Sequence, residues 1–213
     1  MSKLPPDGRA ETSSNAKTAK AELRRTLIAA RSAASQDDRH RADAARNRSL
    51  RRMIDAVDAG RGGAATTVAV YLSRPPEPDT IALVADLHRA GFRMLVPSPG
   101  PASSWTQPAW AWFSGELVAG PSGIPVTTGP SLGPDVLALA QIVILPGLAG
   151  SRDGTRLGSG AGWYDRALLS ARSDAQRWLV LNDDELIDDL PSQTHDVAVD
   201  KLVLPYQTID CRR

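Results

Sequence analysis

The densest chemistry in this sequence lies in the run Pro146-Gly-Leu-Ala-Gly-Ser-Arg-Asp-Gly-Thr-Arg-Leu-Gly-Ser-Gly-Ala-Gly-Trp-Tyr-Asp-Arg166. Gly158, Gly160 and Gly162 alternate immediately before a stretch of helical character. Glycines at that spacing let the backbone turn tightly and bring several N–H groups onto one anion, and the start of a following helix adds positive potential. Arg156 supplies a planar, permanently charged fork suited to phosphate oxygens. The run has neither the Gly-Lys-Ser/Thr of a Walker A loop nor the spacing of the dinucleotide fingerprint. Glycines alone would read as a flexible turn. A strand before, a helix after and two arginines within favour a phosphate cradle.

Other charged residues have spacing that matters. Lys20 and Arg24 are four apart, so on a helix they share a face, where an anion between them would remove their mutual repulsion. The competing reading is a solvated basic face, since nine arginines fall between Arg24 and Arg52. Glu77 follows two prolines in Ser73-Arg-Pro-Pro-Glu-Pro-Asp-Thr80, a stiff loop that could hold one carboxylate at the mouth of a sheet, although on these grounds a solvated loop acid is the favoured reading. Asp165 and Asp200 are acids flanked by structured segments, and a carboxylate pair near a phosphate loop suits a magnesium ion. The simpler reading makes them a helix cap and a salt-bridge partner. His195, without a second histidine or a nucleophile nearby in the pattern, reads as structural.

The elements that must position these groups follow from periodicity. Residues 1–16 carry Pro, Gly, Ser and polar residues without pattern and read as a flexible tail, leaving 17–213 as one domain. Leu23, Leu27, Ala30 and Ala34 recur at helical spacing. Ser35-Gln-Asp-Asp is an N-cap signal for a second helix, which Gly60, Gly62 and Gly63 end. Strands are expected at Thr66–Leu72, Phe92–Val96, Trp110–Phe113, Gln141–Leu145, Arg177–Leu181 and Val197–Leu204. Helices are expected from Asp79-Thr80 through Leu87 and from Trp163 to Ala171. Near-continuous apolar strands alternating with helices predict an α/β fold with a largely parallel sheet covered on both faces. Ligands of such sheets sit beyond the carboxyl ends of the strands, which singles out the loops after Leu72 and Leu145.

Composition bounds the function. The 213 residues are 42% hydrophobic and 23% charged with net charge +1, which excludes a disordered chain and argues against a dedicated polyanion binder. No run approaches the ~20 apolar residues needed to cross a bilayer. A single cysteine, Cys211, leaves no internal disulfide and no multi-thiolate metal site. With no apolar stretch after Met1, the expectation is a soluble, cytoplasmic monomer with no membrane partner.

Taken together these features resemble the 5-formyltetrahydrofolate cyclo-ligase, or methenyltetrahydrofolate synthetase, family, over about Lys20 to Leu204. The stretch from Pro146 to Arg166 is the most specific part. Lys20-Ala-Glu-Leu-Arg24, Glu77 with Thr80, and Val199-Asp-Lys-Leu-Val203 occur in the expected order. The resemblance implies a three-layer α/β sandwich. It implies that Lys20 and Arg24 contact ATP phosphates, and that Arg156, Leu157, Gly158, Ser159, Gly160, Ala161, Gly162, Trp163 and Tyr164 form the nucleotide loop. It implies that Leu72 and Glu77, together with Ser159, Gly160, Ala161, Gly162 and Trp163, border the reduced folate. Arg156 and Glu77 are then the catalytic candidates, and Asp165 and Asp200 the magnesium ligands. The implied reaction is ATP- and Mg²⁺-dependent closure of 5-formyltetrahydrofolate to 5,10-methenyltetrahydrofolate, releasing ADP and phosphate. Its partners would be these small molecules.

Two other classes compete. A relative that binds nucleotide or a folate-like ligand without turnover is the alternative. Its marks would be Gly150-Ser151 and Glu185, which stand where the family usually carries Phe-Asp and Gln. A nucleic-acid-binding module built on the arginine-rich helices is opposed by the near-zero net charge and the interleaved Asp37, Asp38 and Asp43.

Overall fold

The computed structural model describes residues 8–100, 105–191 and 196–211, with side chains from residue 18 onward. In chain order its elements are α1 (Gly8–Ala33), α2 (Gln36–Ala59), β1 (Thr67–Val70), α3 (Ile81–Arg89), β2 (Arg93–Pro97), β3 (Trp110–Trp112), β4 (Leu117–Val118), β5 (Val126–Thr127), β6 (Ile142–Pro146), β7 (Ala149–Gly150), β8 (Arg156–Leu157), α4 (Trp163–Leu168), β9 (Gln176–Val180), β10 (Lys201–Val203) and β11 (Thr208–Asp210). His195 lies outside the described residues, as do residues 1–7 of the expected tail. The helical backbone of α1 begins at Gly8, inside the stretch read as a tail. Ala10, Glu11, Ala16 and Lys17 are good helix formers, and that propensity accounts for the extension.

Seven strands form one sheet in the order β11-β10-β9-β6-β1-β2-β3. The inner five are parallel to their neighbours, and β3 and β11 close the two edges in antiparallel sense. Strands as apolar as Ile142-Val-Ile-Leu145 need cover on both faces, and alternation decides which residue goes where. Val68, Val70, Ile142 and Ile144 pack with Leu50 and Ile54 of α2 and Leu83 and Leu87 of α3. Ala69, Val143, Leu145 and Leu179 pack with Ala167 and Leu168 of α4 and with Leu137 on the opposite face. The three layers expected from the sequence are therefore present.

Local chemistry sets the helix ends. The Ser35 hydroxyl accepts the Asp38 amide at 3.1 Å, with Asp37 and Asp38 in the first turn of α2. Asp79, rather than Thr80, caps α3 by accepting the Ile81 amide at 3.1 Å. Thr80 instead donates to the Tyr71 carbonyl at 2.6 Å and accepts the Ser73 amide at 3.3 Å, which ties off the loop after β1.

Two expectations change. Helix α4 stops at Leu168 rather than Ala171, and Leu169, Ser170 and Ala171 follow with turn bonds to Arg166, Ala167 and Leu168. The last expected strand shrinks to β10, because Asp200 spends its side chain on the Arg177 amide and Val199 bonds to Gly154.

From β1 the chain moves to β2 on one side, while β6 and β9 lie on the other, so the strand order reverses between β1 and β6. Such a reversal opens a crevice at the carboxyl ends of the two strands. The β7–β8 ribbon rises from the end of β6, and α1 lies against it through Leu27, packed with Leu148, Ala149 and Leu157. No described helix is long and apolar enough to cross a membrane.

Burial predicts where the helices matter most. Ile54 of α2 is 0% exposed and Ile28 of α1 is 46% exposed. Ile54→Ala is expected to cost about 2–5 kcal/mol in urea unfolding, and Ile28→Ala within about 0.5 kcal/mol of zero. Equal costs would mean that α2 is not the helix that covers the core.

Candidate active site

A cavity of about 340 Å³ occupies the crevice. Its floor is the carboxyl end of β1 with Tyr71 and Leu72, and the end of β6 with Pro146, Gly147 and Leu148. The run from Arg156 to Asp165 forms one wall, and Lys20, Arg24 and Arg31 of α1 reach in from another. Arg74, Glu77, Pro97, Trp105, Ser122, Ile124 and Asp196 complete the lining. Every residue expected to bind nucleotide or folate therefore borders one cavity, and of the two expected metal ligands only Asp165 does.

The glycine run works as a loop more than as a helix start. Helix α4 has six residues, too short to gather much of a dipole, so the expected contribution of a helix N-terminus falls away. What remains is backbone held open by positive φ at Gly160 (+106°) and Gly162 (+62°). A Cβ at Gly160 would meet the Arg24 guanidinium carbon at 3.5 Å, so that cation lies directly over the loop. Arg24 also donates from Nε to the Gly158 carbonyl at 2.9 Å.

Each cation at the site already has an anion or a carbonyl. Lys20 is 6% exposed and its ammonium lies 3.1 Å from an Asp196 carboxylate oxygen. Arg156 donates to the Asp165 carboxylate, and its Nε is buried without a protein partner. Arg156 is thus a braced cation rather than a free fork. Two carboxylates bordering one cavity form a hard-oxygen donor set, the kind that holds Mg²⁺ together with waters and substrate phosphates. Asp165 and Asp196 fit that ion.

Asp200 does not belong to the set. Its carboxylate accepts the Arg177 amide at 2.7 Å, its own amide donates to the Arg177 carbonyl at 2.8 Å, and its carbonyl accepts from Cys211 at 2.9 Å. Arg177 pairs with Val143, and Val180, farther along β9, pairs with the cavity residue Pro146. At ~3.3 Å per residue, Asp200 stands about 10 Å down the sheet from the cavity floor, at the opposite strand ends. A site shared by Asp165 and Asp200 is therefore ruled out. The fold does not bring the expected pair, Asp165 and Asp200, to one cavity. Asp196, earlier in the same segment, is the acid at the cavity.

Glu77 sits where the stiff loop was expected to hold it. Its carboxylate accepts the Arg74 amide at 3.0 Å and its amide donates to the Arg74 carbonyl at 2.8 Å. Burial raises its pKa above the ordinary glutamate value, against the lowering effects of Arg74 and Arg31. Burial, with the Glu77 charge second, also pushes the phenols of Tyr71 and Tyr164 well above their usual range. Tyr71 donates to the Pro78 carbonyl at 2.7 Å and so braces the same loop. Trp163 packs edge-on to Trp110 at 5.3 Å, Tyr164 at 4.8 Å and Trp105 at 6.5 Å between ring centres, giving one side of the cavity an aromatic wall.

Sequence reasoning missed Arg31, Tyr71, Arg74, Trp105 and Asp196. Tyr71 could have been found as the neighbour of Leu72, and Arg31 as the next position of the Lys20–Arg24–Leu27 stripe. Trp105 lies in a Pro- and Gly-rich stretch without periodicity and carried no signal. Cys211 offers no nucleophile, because burial, followed by Asp153 and Asp210, raises its thiol pKa to about 11. Among the described residues no three His, Cys, Asp or Glu side chains cluster as a protein-only metal cage.

Comparisons with known proteins agree with this geometry. The chain is 38% identical over 146 residues to the 5-formyltetrahydrofolate cyclo-ligase of Mycolicibacterium smegmatis, covering 67% of this chain and 75% of that protein. It is 34% identical over 146 residues to the Escherichia coli K12 protein of the same name, covering 66% and 79%. In fold it is similar to the 5,10-methenyltetrahydrofolate synthetase of Aquifex aeolicus, with TM-score 0.71, 22% identity, and 91% and 93% of the two chains covered. It is also similar to the synthetase of Mycoplasma pneumoniae, with TM-score 0.66, 19% identity, and 87% and 98% covered. Residues 16–205 match the family model described as the 5-formyltetrahydrofolate cyclo-ligase family. With nearly the whole chain matched and the cation-lined loop at the sheet's switch point, this protein belongs to the 5-formyltetrahydrofolate cyclo-ligase family.

Proposed function

We propose that the protein is an ATP-dependent ligase that closes 5-formyltetrahydrofolate to 5,10-methenyltetrahydrofolate, releasing ADP and phosphate. One observation carries this reading: in a chain of that family, Lys20, Arg24 and Arg156 converge with the glycine loop and Glu77 on a single cavity. A formyl oxygen on nitrogen is a poor leaving group. The γ-phosphoryl of ATP is transferred to it, the bond to the β-phosphate oxygen breaks, and ADP departs. Nitrogen 10 then attacks the activated carbon, loses its proton, and the C–O bond breaks to release phosphate.

This chemistry asks the protein for positioning and charge neutralisation more than for a nucleophile. Lys20 and Arg24 exchange Asp196 and the Gly158 carbonyl for nucleotide phosphates, and the amides of Ser159 to Gly162 supply neutral donors. Arg156, braced by Asp165, stabilises the phosphoryl group in flight. Leu72 and the Trp105–Trp163 wall offer apolar faces to the flat ring systems of the folate. Glu77 is the acceptor for the proton of nitrogen 10, a role suited to a carboxylate made more basic by burial. Asp165 and Asp196 would hold Mg²⁺, which would supply charge neutralisation to the phosphates.

The alternative without turnover loses its footing. Gly150 and Ser151 belong to β7 and its turn, where Ser151 donates to Asp153, and neither borders the cavity. Glu185 lies behind the cavity wall in an ion pair with Arg31. Gly150, Ser151 and Glu185 thus fall outside the lining.

Mixing the protein with 5-formyltetrahydrofolate, ATP and Mg²⁺ is expected to generate methenyl-folate absorbance at a rate that depends on all three, and its absence would discard the reading. Asp196→Asn is expected to raise the Mg²⁺ needed for half-maximal rate tenfold or more, whereas Asp200→Asn leaves it unchanged. The reverse order would remove the metal role given to Asp196.

Glu77→Gln is expected to lower kcat about 10²-fold or more, the range for loss of a general base. The same group makes a stability prediction. Its folded-state pKa is raised, so its contribution to stability is complete below the ordinary carboxylate range and is lost as pH rises through the higher value. Between those limits the wild type should lose stability relative to Glu77→Gln in urea titrations. A pH-independent difference would contradict the burial of this carboxylate.

A further inference from the structure

Helix α1 crosses the cavity on a stripe of four side chains, Lys20, Arg24, Leu27 and Arg31, spaced by four, three and four residues, which keeps them on one helical face. Lys20 and Arg24 reach the site, and Leu27 enters a small apolar cluster. That cluster is modest beside the cores that hold α2 and α3, so among the described residues of α1, from Thr18 onward, little apolar burial fixes where the helix lies along its own axis. The last member of the stripe is held differently.

The Arg31 side chain is 4% exposed and that of Glu185 1%. Arg31 donates from Nε to one carboxylate oxygen at 2.5 Å and from Nη2 to the other at 2.7 Å, and Nη2 also reaches the Gly147 carbonyl at 2.5 Å. The first oxygen also accepts from the Asn182 side-chain amide and the second from the Asn182 backbone amide, each at 2.8 Å. The Asn182 side-chain oxygen in turn accepts from Arg46 of α2 at 2.8 Å. A single network therefore joins α1, α2, the end of β9 and the Gly147 carbonyl on the cavity floor. A bidentate pair of this kind has one productive geometry, unlike an apolar contact, which tolerates sliding.

We propose that Arg31, locked by Glu185, is a positioning residue that fixes the setting of α1 and so delivers Lys20 and Arg24 to the glycine loop. The inference rests on the ATP reading above for its functional consequence, while the clamp itself can be tested without it. The network also makes the clamp intolerant of near-isosteric change. Four donors converge on two oxygens, so glutamine at 185 presents its NH₂ group to two donors whichever way it is turned. Lysine at 31 keeps the charge and loses the fork.

The test uses Arg31→Lys and Glu185→Gln in the full chain, with Leu50→Ala as a control that loses stability in the α2 core away from the site. Hydrogen exchange of the amides from Lys20 to Leu27 is expected to quicken at least tenfold in both clamp variants while β1 and β6 keep their protection. In the control that stretch should exchange as in the wild type. ATP affinity by calorimetry is expected to fall about tenfold in Arg31→Lys and to hold in Leu50→Ala. Combining Arg31→Lys with Arg24→Ala should weaken ATP binding by clearly less than the product of the two single losses, since the clamp acts in part through Arg24. Unchanged exchange in α1, or fully additive losses of affinity, would overturn the proposal. A wild type that fails to bind ATP would sink the functional reading instead, and the exchange data would still decide the clamp. Should Glu185→Gln not fold, Arg31→Lys carries the same comparison.

Discussion

The site depends on the parallel pairing of β1 with β6, from which the chain departs in opposite directions. Val68, Ala69 and Val70 lie opposite Ile142, Val143 and Ile144, and both strands are fully buried there. Because β2 lies to one side and β9 to the other, no crossover covers the carboxyl ends of the central pair. The loop bearing Glu77 and the loop bearing the glycines rise on either side of that gap. Helix α1, whose described side chains make few core contacts, closes it from above.

Electrostatics then govern how the gap is furnished. Lys20 faces Asp196, Arg156 faces Asp165 and Arg31 faces Glu185, so charges taken out of water meet a partner of opposite sign. The pairs differ in what surrounds them. The first two border the cavity, where an incoming polyanion and its cation can take over the partners. In the Arg31–Glu185 pair the carboxylate is buried behind the cavity wall and held by Asn182 as well, while Arg31 also bonds the Gly147 carbonyl. Exchangeable pairs suit binding; the Arg31–Glu185 pair suits framing. Glu77 stands apart as a carboxylate whose pKa burial raises above the ordinary glutamate value, against the lowering effect of two nearby arginines.

Much of this was legible in the residues alone. The inner strands announced themselves as continuous apolar runs, and their buried faces alternate as period two requires. Ser35 marked its helix start because a hydroxyl at an N-cap has one obvious amide to satisfy. The glycine loop, the Lys20–Arg24 pair and Glu77 were readable because each is a local pattern, with glycines for tight turns, four-residue spacing for a shared face, and prolines for a stiff loop. The second magnesium-type acid was not readable in this way. Asp196 and Asp200 lie close in sequence and differ only in which end of the sheet they reach.

That distinction marks the boundary between sequence and tertiary structure here. Sequence alone determined the layered α/β class, the position of the phosphate-type loop and the family, since propensity, periodicity and short motifs act within a few residues. Only the folded chain decided that Asp196 rather than Asp200 borders the cavity with Asp165, that Arg156 is braced, that Trp105 walls the cavity and that Arg31 finds Glu185. Each of these joins residues far apart in the chain through strand order and register, which no local pattern encodes. A strand displaced by three residues carries a carboxylate about 10 Å, enough to move it from the mouth of the site to the far end of the sheet.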